Sequence, residues 1–384
     1  MKPKYLIVIL VLLIIFAVSM YYGFLVNDQA EKEPSDVFVG VDVAYDNVEE
    51  IKLLVDEISQ YTNTIVIGST GITYDMEKLD DVCQYVHDRE MYFIIFAHPI
   101  NDPDDLATQR QWVLDAKPRW GKYFLGLYAY DETGGRQLDN AEYKVVEEWS
   151  ADNHTDAADK FVNGLDLILN HTIRDLLGAE DLPLFVSDYA LYWFDYKGGY
   201  DVVFAEFGWN YSRYINVALC RGAANVQNKE WGVMVTWTYT QPPYIESGEE
   251  LYDDLVLAYE SGAKYILVFD SNEDYTHGTL QPEHLDALKR FWQYMKDNSR
   301  TSSPSGDRVA YVLPKDYGYG FRGPEDTIWG LWEADEFSFE ISTQVGGLLD
   351  EYENRLDIIY NDGLEPDNSY GYNEFIFWNG TAIS

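Results

Sequence analysis

The segment Val37-Phe38-Val39-Gly40-Val41-Asp42-Val43 alternates along its whole length. Side chains of a strand point to its two faces in turn, so the four valines share one face and Phe38, Gly40 and Asp42 share the other. A valine face suits packing against helices. The opposite face mixes a ring, a glycine and a terminal carboxylate, which suits the crowded inside of a closed sheet. Seven more short apolar runs follow, at residues 64–68, 91–97, 123–130, 183–188, 201–206, 231–238 and 264–270. Amphipathic stretches lie between them, at 48–61, 76–89 and 251–261 among others. The last, 281–297, sets Leu285, Leu288, Phe291, Trp292 and Met295 on one helical face.

Apolar runs alternating with helical periods predict an α/β chain whose strands are parallel. Eight such units over residues 37–300 predict a (β/α)8 barrel of the TIM type. An open doubly wound sheet is the alternative, but it would hold all eight strands in one sheet, and no Gly-rich phosphate loop is present. The interval 131–182 is oversized and predicts about two helices, including 155–177, as an extension of the face formed by the C-terminal ends of the strands. Residues 301–307 read as a linker by composition. Residues 308–384 read as a small α/β domain of three strands that leans on the barrel.

At the other end, Lys2 and Lys4 precede an uncharged run over residues 5–26. That length crosses a bilayer core of about 30 Å, and the flanking lysines favour a cytoplasmic N-terminus. Residues 1–26 are thus expected to be a transmembrane signal anchor and 27–36 a tether, with the body extracytoplasmic at the cell surface. Cleavage of the run would make the protein secreted. Asn153, Asn170, Asn210 and Asn379 each begin an Asn-x-Ser/Thr triplet, which fits a glycoprotein in that setting. The formal net charge of -39 argues against nucleic acid as a partner. Cys83 and Cys220, assigned to opposite sides of the barrel, are expected to be packing residues and not a disulfide.

In such a barrel the functional groups sit at the C-terminal strand ends. These ends carry Asp42, Ser69 and Thr70, His98, Asp131 with Glu132, Asp188, Glu206, residues 236–238 and Asp270; five of the eight are therefore acidic. Some would cap helices or hold loops. Alternation predicts that Gly126, Tyr128, Tyr130 and Glu132 face inward on the fourth strand and Leu125, Leu127 and Ala129 outward. It likewise turns Glu206 inward with Phe204 and Val202, and Asp270 inward with Val268 and Ile266. Glu132 is then the cleft residue and Asp131 its orienting neighbour.

Two carboxyl groups across a cleft can share acid and base work once their environments push their pKa values apart. The first candidate pair is Glu132 with Glu206, and the second is Glu132 with Asp270. Aromatic residues crowd the same rim. Tyr45, Tyr130, Tyr189, Tyr192, Trp193, Phe194, Trp209, Trp237, Tyr239 and Tyr244 all fall at or just after strand ends. Flat apolar rings with polar tips suit the C–H faces and hydroxyls of sugars. Asp42, His98, Asp131 and Asp188 complete the expected substrate-binding set. The loop 237–246 is the best candidate for a binding wall. A metal site is not expected, since only six His occur, without His-x-His or His-Glu-x-x-His spacing. No cofactor is expected, and no Gly-x-Ser-x-Gly elbow is found.

With eight βα units, Tyr130-Asp131-Glu132 closing the fourth strand and aromatic loops, the chain resembles the barrel glycoside hydrolases. Its trailing α/β unit is similar to the domain that follows the barrel in β-galactosidase-type enzymes. The resemblance implies an oligosaccharide or polysaccharide substrate and a paired-carboxylate mechanism. In the clan with paired glutamates it implies Glu132 as acid/base and a nucleophile ending strand seven. Here that strand ends Thr236-Trp237-Thr238-Tyr239, without a carboxylate. The pairing of strands four and six used by another barrel clan maps instead onto Glu132 and Glu206, with Glu246 in reserve. The alternative is a non-catalytic carbohydrate-binding or structural cell-envelope protein on the same scaffold.

Overall fold

The structure, a computed structural model, describes residues 37–139, 144–300, 308–363 and 370–383. The expected anchor at 1–26, the tether at 27–36 and the linker at 301–307 lie outside them. Among the described residues no helix is long and apolar enough to cross a membrane.

Eight parallel strands close on themselves in chain order: β1 Phe38–Val43, β2 Thr64–Ile67, β3 Tyr92–Phe96, β4 Phe124–Tyr128, β5 Leu184–Asp188, β6 Val202–Phe207, β7 Glu230–Val235 and β8 Tyr265–Asp270. β1 pairs with β8 from Phe38↔Tyr265 to Val43↔Asp270, which seals the barrel. Each of the eight expected runs forms one strand. Inside, Val66, Ile94, Tyr128, Phe185, Val202, Phe204, Met234, Tyr265 and Leu267 pack with Phe38, Phe96, Leu125 and Phe269. Phe38 stacks on Tyr265 with ring centroids 4.9 Å apart. Burying each such ring contributes roughly 1.5–3 kcal/mol. Gly40 is required where β1 meets β2, because a Cβ there would lie 1.8 Å from the Thr64 carbonyl oxygen.

Three expectations need correction. On β8 the inward residues are Tyr265, Leu267 and Phe269, so Asp270 shares the outward side with Ile266 and Val268. Leu125 packs against the interior because the β3–β4 register slips there, Phe93 pairing with Phe124 and Ile94 with Gly126. β4 ends at Tyr128 and not at residue 130, since Tyr130 and Glu132 have left-handed φ values of 62° and 51°. The oversized interval holds a short helix Thr133–Leu138 and a longer helix His154–Ile168 that continues as a wider turn over Leu169–Leu176.

Beyond the barrel, β9 Arg308–Leu313, β10 Leu356–Tyr360, β11 Tyr372–Phe377 and β12 Ala382–Ile383 form a sheet in the order β10-β9-β11-β12, with the helix Glu336–Tyr352 between β9 and β10. The two-residue β12 is the strand that the sequence pattern did not reveal. The sheet and barrel form one compact unit over Phe38–Ser384. The barrel helix Arg213–Val226 lies so close to β10 that a Cβ on Gly222 would sit 2.6 Å from the Ile358 carbonyl oxygen. From the same helix Arg221 donates to Asp357 Oδ1 at 2.7 Å and to the Asn354 and Leu356 carbonyls. Trp193 and Phe194, expected at the sugar-facing rim, pack instead on Tyr360 of this sheet. Cys83 and Cys220 are both buried and free.

Candidate functional site

Four carboxyl groups gather at the C-terminal mouth, those of Asp42, Glu206, Glu132 and Asp131. Asp42, one residue before the end of β1, is buried, with room made by Gly68, where a Cβ would meet its Oδ1 at 2.3 Å. That oxygen has no hydrogen-bond partner among the described residues. Burial, followed by the Asp131 and Asp270 charges, pushes its carboxyl well above the usual range. Glu206, on β6, is only 4 % exposed and accepts from Ser187 Oγ at 2.6 Å. Burial and the facing Glu132 and Asp131 carboxyls raise it strongly. Asn216 Nδ2 holds the Glu206 carbonyl at 2.6 Å, which keeps this residue in place.

Glu132 stands opposite, half-buried, where the chain leaves β4 to begin the helix Thr133–Leu138. Its N–H donates to the Ser187 carbonyl at 3.0 Å and its own carbonyl accepts from Arg136 N–H. Its carboxyl makes no capping bond, so it projects free of the helix it precedes. Burial, then Asp131 and Asp188, push it up to about 8. Asp131 is exposed as a residue but its carboxyl is turned into the site, where Oδ1 accepts from the Tyr128 hydroxyl and from Ser187 Oγ. Burial raises that carboxyl, and the Tyr128 hydroxyl, Arg136 and Ser187 partly offset it.

Asp188 and Asp270 do different work. Asp188 is fully buried off the barrel axis and accepts four backbone N–H groups, from Gly134 (2.5 Å), Gly135 (2.8 Å), Tyr189 (2.8 Å) and Ala190 (3.1 Å). It is pushed up to about 7, because burial outweighs those donors. Both glycines are needed: a Cβ on Gly134 would lie 2.5 Å from the Ala190 carbonyl, and one on Gly135 would enter the Tyr189 ring. Asp270 Oδ1 accepts from the Thr279 and Leu280 N–H groups and from Thr279 Oγ1, so it ties down the loop after β8. The structure therefore brings Glu132, Glu206, Asp131 and Asp42 together and leaves Asp188 and Asp270 as braces beneath the loops. Glu246 is drawn elsewhere, accepting from Arg213 Nη2 at 2.9 Å, while Arg213 Nε donates to Asp254.

The aromatic candidates divide too. Tyr45 is 1 % exposed and packs below the opening. Tyr189 is largely covered, donates to Asp139 Oδ2 at 2.6 Å and stacks on Tyr211. Tyr130 bonds Thr172 Oγ1 at 2.8 Å and meets the His98 ring edge-on at 5.2 Å, so both stand at the insertion side of the mouth. Trp237 donates to the Ser271 carbonyl at 3.0 Å and lies against Tyr244, with centroids 5.0 Å apart. Tyr239 is 48 % exposed. Together with Trp209, Thr238, Thr240, Gln241, Pro242 and Pro243 it lines a groove of about 490 Å³. A second groove of about 470 Å³ runs along Tyr211 and residues 322–326. Neither groove has Glu132 or Glu206 in its wall; the first is formed by the loops that follow β6 and β7.

Several residues at the site escaped the sequence reading. Ser187 is polar at an inward position of β5, a signal that alternation offers. Tyr275, in the loop after β8, feels the Asp131 and Glu132 charges. Arg322, from the trailing unit, pairs with Asp139 and Asp326 and lies 5.8 Å above the Tyr189 ring. No local pattern marks it. Among the described residues no cluster of His, Cys, Asp or Glu is arranged to hold a metal ion.

No family model matches this chain, and no curated protein matches it. Solved structures do. A β-galactosidase from the psychrophilic Marinomonas ef1 superimposes with a TM-score of 0.56 at 11% identity, over 89% of this chain and 72% of that one. A GH5_18 variant from Bifidobacterium longum in complex with Manb1-4GlcNAc gives 0.51 at 12% identity, over 91% and 99%. An α-L-fucosidase from Paenibacillus thiaminolyticus gives 0.52 at 12% identity, over 88% of this chain and 59% of that one. At such identities the likeness is one of fold, and the resemblance to barrel glycoside hydrolases holds at that level.

Proposed function

We propose that the protein is a glycoside hydrolase, or a close relative of one, whose working pair is Glu132 and Glu206. One observation carries this reading: Glu206 is buried and held through Ser187 and Asn216 at the barrel mouth, within reach of the charge of Glu132, whose carboxyl makes no capping bond. Glu132, pushed up to about 8, is protonated at neutral pH and suits the general acid. Glu206 suits the base or nucleophile. The aromatic groove in the loops after β6 and β7, and a structural neighbour that holds Manb1-4GlcNAc, support an oligosaccharide ligand. The test is hydrolysis of a glycan panel by the parent, Glu132→Gln and Glu206→Gln. Loss in both variants supports the pair; variants as fast as the parent remove it.

A sugar-binding protein without turnover is the second reading, favoured by β7, whose end supplies Thr236 and Trp237 where the paired-glutamate clan has a carboxylate. Glycan binding by a parent that hydrolyses nothing would decide for it. We further propose an extracytoplasmic, membrane-anchored location, on the strength of the apolar run at 5–26. Fractionation of the full chain tests this, and a soluble intracellular pool would count against it.

A further inference from the structure

Four oxygen atoms stand in a row across the barrel floor: Asp131 Oδ1, Tyr128 Oη, Ser187 Oγ and Glu206 Oε1. Tyr128 is hydrogen-bonded to Asp131, its hydroxyl lies 2.8 Å from Ser187 Oγ, and Ser187 Oγ lies 2.6 Å from Glu206 Oε1. Oxygens this close need a hydrogen between them. The row has three gaps, and its two hydroxyls supply one hydrogen each. The Ser187 N–H, 3.2 Å from Tyr128 Oη, fills a further lone pair of the phenol and none of the three gaps. Turning Ser187 toward Asp131, 3.3 Å away, leaves the gap to Glu206 empty. In every arrangement the missing hydrogen belongs to a carboxyl group.

We infer that Asp131 and Glu206 hold one proton between them through Tyr128 and Ser187, and that the row passes it from Glu206 to Asp131 as Glu206 becomes the working base or nucleophile. At rest the charge belongs at the end that has a cation and two hydroxyls beside it. Glu206 is enclosed, faces the Glu132, Asp131 and Asp188 carboxyls and the neutral Tyr192 phenol, and is raised well above the usual range. Asp131 faces Asp42, Glu132, Glu206 and the Tyr275 phenol and is raised by burial of its carboxyl, but the Tyr128 hydroxyl, the nearby Arg136 and the Ser187 hydroxyl pull it partly back down. The resting row is therefore Glu206 Oε1–H to Ser187, Ser187 Oγ–H to Tyr128, and Tyr128 Oη–H to Asp131. Transfer breaks these three O–H bonds and forms three others: the Glu206 proton goes to Ser187 Oγ, the Ser187 proton to Tyr128 Oη, and the Tyr128 proton to Asp131 Oδ1. The row carries one negative charge throughout, first on Asp131 and then on Glu206. Positive charge growing at a sugar's anomeric carbon would draw that negative charge toward Glu206. Tyr128, Ser187 and Asp131 are thus positioning residues for Glu206.

The resting proton is independent of the glycosidase reading; its movement in turnover rests on that reading. Infrared spectra of the full chain at neutral pH separate the two. Glu206→Gln should remove one carboxylic-acid band, Ser187→Ala should shift that band to higher frequency, and Ser187→Thr should return it. If Glu206→Gln removes only carboxylate intensity, or if Ser187→Ala leaves the band in place, the shared proton is overturned. Should Ser187→Ala not fold, Tyr128→Phe takes its place, since it cuts the row one step further along, and an unmoved band again overturns the row. Where hydrolysis is measured, kcat should fall about tenfold or more in Ser187→Ala with KM little changed, and recover in Ser187→Thr. Equal kcat in all three overturns the transfer step. Infrared agreement in a protein that hydrolyses no glycan upholds the shared proton and removes the glycosidase reading.

Discussion

Asp188 binds the N–H of Gly135 at 2.8 Å, and through this contact a buried carboxylate on β5 sets the turn from which Glu132 projects. The same side chain takes the Gly134, Tyr189 and Ala190 amides. Asp188→Ala would leave four buried donors with one acceptor fewer each. Hydrogen bonds to a charged group are worth about 1.5–3 kcal/mol apiece and do not add, so a loss of about 3–5 kcal/mol is expected in denaturant unfolding. Asp188→Asn, which keeps one accepting oxygen, should lose less; equal losses would show that the bonds do not hold the turn.

Stability should fall as pH rises from about 5 to 8. The folded-state values of about 7 for Asp188 and about 8 for Glu132 lie above the ordinary carboxyl values of roughly 4. Between those limits the folded chain keeps protons that the unfolded chain releases, so unfolding is favoured by raising the pH. The slope of urea midpoint against pH should flatten in Glu132→Gln. A midpoint that climbs from pH 5 to 8 would contradict the raised values.

If Glu132 is the general acid, kcat/KM on a hydrolysed glycan should decline on the alkaline side near pH 8, where the group loses its proton. Glu132→Gln should lower kcat by a hundredfold or more, about 2.7 kcal/mol. A substrate with a leaving group that needs no protonation should recover much of that loss, and failure to do so would assign Glu132 another role.

Tyr239 stands out from the groove wall and half of it meets solvent. Tyr239→Ala should change the unfolding midpoint by less than about 0.5 kcal/mol and weaken glycan binding by about 0.5–1.5 kcal/mol, several-fold in Kd by calorimetry. Unaltered affinity would move the sugar to another part of the mouth.

Arg221 and Asp357 tie the terminal sheet to the barrel, with Arg308 and Tyr372 also on Asp357. Arg221→Ala removes one partner from a buried charge, which costs about 3–5 kcal/mol. Faster proteolysis within residues 356–383 should accompany the drop in Tm. Cleavage at the parental rate would show that the sheet is held by other contacts.

The eight strands were legible because a parallel barrel strand, covered on both sides, must be a short apolar run. That same double burial hid the direction of Asp270: in Tyr265-Ile266-Leu267-Val268-Phe269 both faces are apolar, so alternation carries no sign. β1 could be read because Gly40 and Asp42 mark its inner side. At β4 a strict alternation was carried through a bulge at Leu125 and past the last strand residue to Glu132. There a left-handed backbone, and not strand parity, aims the side chain. Arg322 was out of reach altogether, since it meets Asp139 across 183 residues of chain.

That long reach orders events in time. Every barrel strand is synthesised before Arg322, so a nascent chain that has already closed its β1–β8 ring still lacks the guanidinium that braces Asp139 beside Tyr189. The rim of the mouth is finished by a segment translated after the whole barrel, and assembly of the scaffold and readiness of the site are separate milestones in this protein's biogenesis.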